Sequence, residues 1–164
     1  MATPRYKNVF PVEYLQEFIK YFYGPLAMVD FEVPIFIPEA IKVTTAGDVI
    51  YSMARSFQYA TSKSIDAVIN VEFDTVDIIE TDGINSVETL GQLMVYKKFY
   101  PLQTKKTVRN VIALCLKTDE LVTDIMIEQG IKIFVWNPTN KTAAEYTQKA
   151  DITQYDKKEN LLWA

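Results

Sequence analysis

Two apolar runs near the end of the chain constrain it more than any other feature. Val108 to Leu116 is almost continuously apolar from Val111 onward, and Ile131 to Trp136 is broken only by Lys132. Short apolar runs without in–out alternation mark strands buried on both faces, as in a parallel sheet covered by helices. The segment between them, Asp119 to Gln129, reads as a helix terminated by Gly130, and Asn137-Pro138 closes the second run. A strand, helix, strand succession forces a right-handed crossover and hence a parallel pairing.

The upstream half adds elements of another kind. Leu15, Phe18, Ile19 and Phe22 recur at helical spacing within Val12 to Tyr23, and Gly24-Pro25 stops that helix. Phe31 to Ile37 reads as a strand in which Pro34 suits an edge or a bend. Residues 40 to 62 admit two readings, two strands or a strand with a short helix. Ile65 to Phe73 and Val76 to Thr81 flank a turn at Asp74-Thr75, which predicts an antiparallel hairpin closed by Asp82-Gly83. Asn85 with Glu88 three residues on resembles a capping box, opening a helix that runs to about Tyr100 and stops at Pro101. The expected fold class is therefore α/β, a mixed central sheet flanked by helices in one domain over residues 1–138. Residues 139–164 read as a C-terminal extension, helical or an arm ending in Leu161-Leu162-Trp163.

Composition removes whole classes of chemistry. The 164 residues contain no histidine, which excludes Ser-His-Asp and Cys-His catalysis, histidine-ligated zinc and histidine general bases. Cys115 is the single cysteine, so there is neither an intrachain disulfide nor a cysteine zinc cluster. Its place in an apolar run reads as a buried small hydrophobe, and a reducing, cytoplasmic setting is expected. No apolar run approaches the roughly 18 residues of a membrane span, and no apolar stretch follows Arg5 and Lys7 as a signal peptide would require. A formal net charge of −4 gives no overall basic footprint, so a nucleic-acid partner would need a local basic surface. Ten Tyr and nine Phe suit a well-filled core first and base stacking second.

Any acid–base or metal chemistry must then rest largely on carboxylates. Asp66 opens the first hairpin strand, and Glu80 and Asp82 close the second, where alternation points the last two to one face. An antiparallel hairpin sets the start of its first strand beside the end of its second, so three acids are expected at one end of a sheet. Like charges this close raise one another's pKa unless a cation lies between them. Mg²⁺ or Mn²⁺ would meet that need as a hard ion that prefers oxygen ligands. The plainer reading is three solvated acids near a turn.

The segment resembles the core of the PD-(D/E)XK nuclease superfamily: an Asp opening one strand, an acid-x-Lys motif ending the next, then a helix. In RecB-like members that helix carries Gln-x-x-x-Tyr, and Gln92-Leu93-Met94-Val95-Tyr96 stands at the matching place. The resemblance spans roughly residues 12 to 136. It implies a restriction-endonuclease-like fold and a metal-dependent nuclease acting on DNA. Asp66, Glu80 and Asp82 would be metal ligands, and Gln92 and Tyr96 supporting residues of the catalytic set. Expected partners are DNA, or alternatively a protein or a second copy in a homodimer, and no membrane.

One motif position departs from the family: Asp82 stands where the lysine that orients the attacking water belongs. Three readings follow. Asp82 is a further metal ligand; a lysine from elsewhere, Lys63 or Lys97, fills the space; or catalysis has been lost and the domain binds nucleic acid or a protein partner. Lys97, Lys98, Lys105, Lys106 and Arg109, with Arg55 and Lys63 before the hairpin, are the candidate phosphate contacts.

Overall fold

The computed structural model describes residues 9–35 and 64–147. Along these run α1 (Val12–Tyr23), β1 (Met28–Pro34), β2 (Ser64–Glu72), β3 (Thr75–Ile84), α2 (Val87–Thr104), β4 (Thr107–Lys117), α3 (Glu120–Glu128), β5 (Lys132–Asn137) and β6 (Thr142–Glu145). The strands form a single sheet in the order β1-β2-β3-β4-β5-β6. β2 pairs antiparallel with β1 and β3, and β6 with β5, the β2–β3 and β5–β6 pairs being joined by tight turns. The two helical connections keep the strand direction, so β3, β4 and β5 run parallel. The α/β class and the mixed sheet thus follow from the alternation of run types. The stretch 40–62, with Arg55 and Lys63, lies outside the described residues.

Strand alternation divides the core between two faces. On one, Phe18, Leu15 and Ile19 of α1 pack with Ala67, Ile69, Ile79, Leu114, Phe134 and Trp136. On the other, α2 and α3 lay Leu93, Tyr96, Phe99, Val122 and Met126 over Val68, Val76, Ile78, Ala113 and Ile133. Helices therefore cover both faces, and the inner strands β3 and β4 carry apolar side chains on each.

Several boundaries differ from the sequence expectation for identifiable reasons. Helix α2 passes through Pro101 and ends three residues later, at Thr104. A proline within a helix removes the bond to the carbonyl four residues earlier. Here that carbonyl belongs to Lys97, an exposed residue. Buried Phe99 and Tyr100 anchor the turn, and the Lys105 N–H donates to Pro101 O at 2.8 Å. The N-cap of α2 is Ser86, not Asn85: Ser86 Oγ accepts the Thr89 N–H at 3.2 Å. Asn85, 1% exposed, is a staple instead. Its amide donates to Thr123 Oγ1 at 2.7 Å and accepts the Asp119 N–H at 2.6 Å, tying the β3–α2 corner to the start of α3. Strand β1 starts at Met28 and ends at Pro34, an edge position where the missing N–H costs nothing. The beginning of the C-terminal extension continues the sheet as β6.

Candidate functional site

The β2–β3 hairpin turns at Phe73–Asp74, and a bulge between Asn70 and Glu72 shifts its register. From there the pairs run regularly to Ala67 opposite Ile79. One step further, this register sets Asp66 opposite Glu80, and side chains take over from the backbone ladder. The Asp66 N–H donates to Glu80 Oε2 at 3.2 Å. In return, Asp66 Oδ2 accepts the Thr81 N–H at 2.8 Å and the Thr81 hydroxyl at 2.7 Å. Each carboxylate thus grips the opposite strand, and the two acids meet at the open end of the hairpin. Glu80 is 5% exposed, which is unusual burial for a carboxylate.

Helix α2 supplies the adjoining wall. Gln92 and Tyr96, one turn apart, are 4% and 0% exposed. The Tyr96 hydroxyl donates to Ser64 O at 3.3 Å, two residues before Asp66. Burial pushes the Tyr96 phenol well above the usual tyrosine range, and the negative charges of Glu80, Asp66 and Glu88 push it further. The phenol therefore stays protonated, a fixed donor in an acidic field.

Asp82 is placed differently. Its Oδ2 accepts the Ser86 hydroxyl at 2.9 Å and the Thr89 hydroxyl at 2.7 Å. The carboxylate is bonded into the first turn of α2, where the helix dipole favours negative charge. The sequence expectation of three converging ligands is thus divided into a pair, Asp66 with Glu80, and a helix-bound third acid. Among the described residues no group of three or more His, Cys, Asp or Glu side chains is arranged to hold a metal ion. Mg²⁺ does not require such a group: it commonly takes one or two carboxylates, several waters and substrate phosphate. The oxygen donors of Asp66 and Glu80, linked by the Asp66 N–H to the Glu80 carboxylate, fit that mode.

The candidate cations lie elsewhere. Lys97 Nζ donates to Gln129 O at 3.2 Å, at the end of α3, so it does not stand in for the missing lysine. Lys105, Lys106 and Arg109 sit toward the hairpin-turn end of β3, where the Thr107 N–H donates to Asp74 O at 2.7 Å, whereas Glu80 lies in the middle of that strand. Lys106 is bonded to Asn70 Oδ1 at 3.2 Å, and Arg109 pairs with Asp77 at 2.7 Å. Three contributors are new relative to the sequence reading: Thr81, Ser64 and Glu88. The hydroxyl between Glu80 and Asp82 could have flagged Thr81; a backbone acceptor such as Ser64 O leaves no sequence trace.

Comparison with protein-family models, with curated proteins and with solved structures finds no match to this chain. No described helix is long and apolar enough to cross a membrane.

Proposed function

We propose that this chain is a metal-dependent nuclease domain of restriction-endonuclease-like architecture, hydrolysing DNA phosphodiester bonds in a reducing cytoplasmic setting. The observation that supports it is the meeting of Asp66 and Glu80 across the hairpin end, beneath the helix stripe that carries Gln92 and Tyr96. Mg²⁺ or Mn²⁺ held by Asp66 and Glu80 would lower the pKa of water and offset charge on the phosphoryl oxygens. The chain's own groups do the rest. Thr81 fixes the orientation of the Asp66 carboxylate through two hydrogen bonds. Gln92 offers an amide for orienting water or phosphate, and protonated Tyr96 holds α2 against the start of β2.

A second reading has its own observation. Asp82 is bonded to Ser86 and Thr89, so the motif position that should act on water instead secures a helix. That arrangement suits a catalytically silent nuclease-like domain that binds nucleic acid or a protein partner.

Incubation of the chain with single- and double-stranded DNA oligonucleotides in Mn²⁺ separates the two. The nuclease reading expects metal-dependent cleavage that Asp66→Asn and Glu80→Gln each lower by about two orders of magnitude or more. Absence of cleavage with salt-dependent DNA binding retained overturns it in favour of the silent domain. Absence of both leaves a protein partner.

A further inference from the structure

We propose that the cleft between α2 and the end of α3 is a binding site for a small amphipathic anion, a short alkyl chain carrying a carboxylate. The cleft has a volume of about 310 Å³, at the lower end of the range for small-molecule sites. Met94, Lys97, Lys98, Gln129 and Ile131 line it. Met94, Lys97 and Lys98 stand at i, i+3 and i+4 on α2 and so share one face of that helix. Gln92 and Tyr96 lie on another face. The cleft is therefore separate from the carboxylate pair of the hairpin, and it stands whether or not that pair holds a metal ion.

The opposite wall follows from how α3 ends. Gln129 caps the helix, and Gly130, at φ 75°, turns the chain toward β5. This left-handed conformation suits glycine. The turn leaves Ile131, 3% exposed, deep in the cleft with the half-buried Met94, whereas Lys97 and Lys98 are exposed at its edge. An apolar interior with a few polar groups at the edge is the arrangement of a site that takes an apolar body by burial and orients it by charge. The unbranched thioether of Met94 adapts readily to an alkyl chain.

Charge selects the sign of the ligand. No acid is among the residues that line the cleft. The end of a helix carries a partial negative charge, which by itself would oppose an anion. Here the terminal carbonyls are occupied. Ile125 O and Met126 O accept the Gln129 N–H at 3.0 and 3.1 Å, Ile127 O accepts the Gly130 N–H at 3.0 Å, and Met126 O also accepts the Ile131 N–H at 2.9 Å. Gln129 O accepts Lys97 Nζ at 3.2 Å, which fixes that ammonium against the turn. Lys98 makes no hydrogen bond or ion pair among the described residues. Two full positive charges outweigh the half charge of the helix end, and one carboxylate can meet both. Lys97, which the hairpin site does not use, has its role here.

An amide NMR titration of the full chain with octanoate, kept below its micelle concentration, tests this. Saturable shifts are expected at Met94, Lys97, Lys98, Gln129 and Ile131, with a dissociation constant of about 1 mM. Octylammonium, of the same length and opposite charge, should give none. Lys98→Glu, a change at an exposed position, should weaken octanoate binding by about tenfold. Lys117→Glu makes the same change of net charge on an exposed lysine at the end of β4 and should bind as the parent does. Absence of saturable shifts at about ten times the expected dissociation constant overturns the proposal. So does equal binding of octylammonium, or parent-like binding of octanoate by Lys98→Glu. Shifts spread over the exposed apolar residues of α1 and β1 in place of the cleft overturn it as well.

Discussion

Tyr23, the last residue of α1, donates its phenol to Asp77 Oδ2 at 2.6 Å, joining the end of a helix to the middle of the sheet. Asp77 is fully buried on β3 and takes three further bonds: from Arg109 Nε at 3.0 Å, from Arg109 Nη2 at 2.7 Å and from the Asn110 N–H at 3.1 Å. A buried charge persists only when its lone pairs are met in this way. Removing the charge should therefore be costly. Asp77→Asn is expected to destabilise the fold by about 3 kcal/mol and Tyr23→Phe by about 1 kcal/mol, read from urea denaturation.

The same cluster sets an acid and an alkaline limit. Burial raises the pKa of Asp77, but the bonds from Arg109, Tyr23 and Asn110 outweigh it and hold the carboxyl below its ordinary range. Its contribution is present above the unfolded-state pKa of about 4 and is lost as pH falls through the lower folded value. Tyr23 runs the other way: burial and the neighbouring Asp77 raise its phenol, so its contribution is present below about pH 10 and fades as pH rises beyond it. In Tyr23→Phe the stability profile should lose part of its alkaline fall, the rest coming from the raised groups of Tyr96, Tyr100 and Cys115, and keep part of its acid fall. An unchanged alkaline limb in that variant would count against the assignment.

How much of this was readable in advance depends on range. The buried runs at Val108–Leu116 and Ile131–Trp136 gave β4 and β5 because a strand covered on both sides has no polar positions to spare. Asp66 and Glu80 were legible as neighbours because antiparallel geometry turns sequence distance into a register. The turn expected at Asp74-Thr75 lies one residue off, at Phe73–Asp74, and the bulge after Asn70 adjusts the rest. Asp82 was legible as sharing the face of Glu80 but not in its partners. Alternation placed it with Glu80, but two hydroxyls on α2, at Ser86 and Thr89, claim its carboxylate, and a strand pattern carries no information about the next helix. Asn85 misled for the same reason, since its partners Thr123 and Asp119 are more than thirty residues away.

Asp82 accordingly belongs to stability first. Asp82→Ala frees the hydroxyls of Ser86 and Thr89 and removes a negative charge from a helix N-terminus. The expected cost is about 1–2 kcal/mol, with Mn²⁺ affinity changed by less than about threefold. A large loss of affinity at unchanged stability would restore Asp82 as a ligand.

Asn85 should be among the most sensitive polar positions. Asn85→Ala leaves the Thr123 hydroxyl and the Asp119 N–H without their partner, at a buried corner where water has little access. A loss of about 2–3 kcal/mol is expected, against about 0.5–1 kcal/mol for Ser86→Ala at the neighbouring N-cap. Equal effects at the two positions would show that the corner admits water.

Cys115 is 1% exposed on β4, and burial pushes its thiol up to about 12. The native chain should resist a thiol-specific reagent at pH 8, reacting at the rate of unfolding and in full once denatured. Rapid labelling of the native state would contradict the packing of β4 against Phe134, whose carbonyl the thiol faces at 3.6 Å.

The Asp66–Glu80 pair makes the sharpest prediction, because it couples stability and metal with opposite signs. Without metal, two carboxylates across one hairpin end oppose each other's charge, while the bonds to Thr81 and to the Asp66 N–H favour them. A glutamine at position 80 keeps an oxygen for the Asp66 N–H while removing one charge. The metal-free Glu80→Gln chain should therefore be as stable as the parent or more so. With Mn²⁺ at about one hundred times its dissociation constant, mass action adds about 2.7 kcal/mol to the parent, which raises the thermal midpoint by roughly 5–10 °C. The variant should show no such rise. The two midpoints then cross as metal is added: the variant ahead without it, the parent ahead with it. A Glu80→Gln chain less stable than the parent in chelator would mean that the carboxylate is structural. Parallel shifts in both chains would place the ion somewhere other than this hairpin.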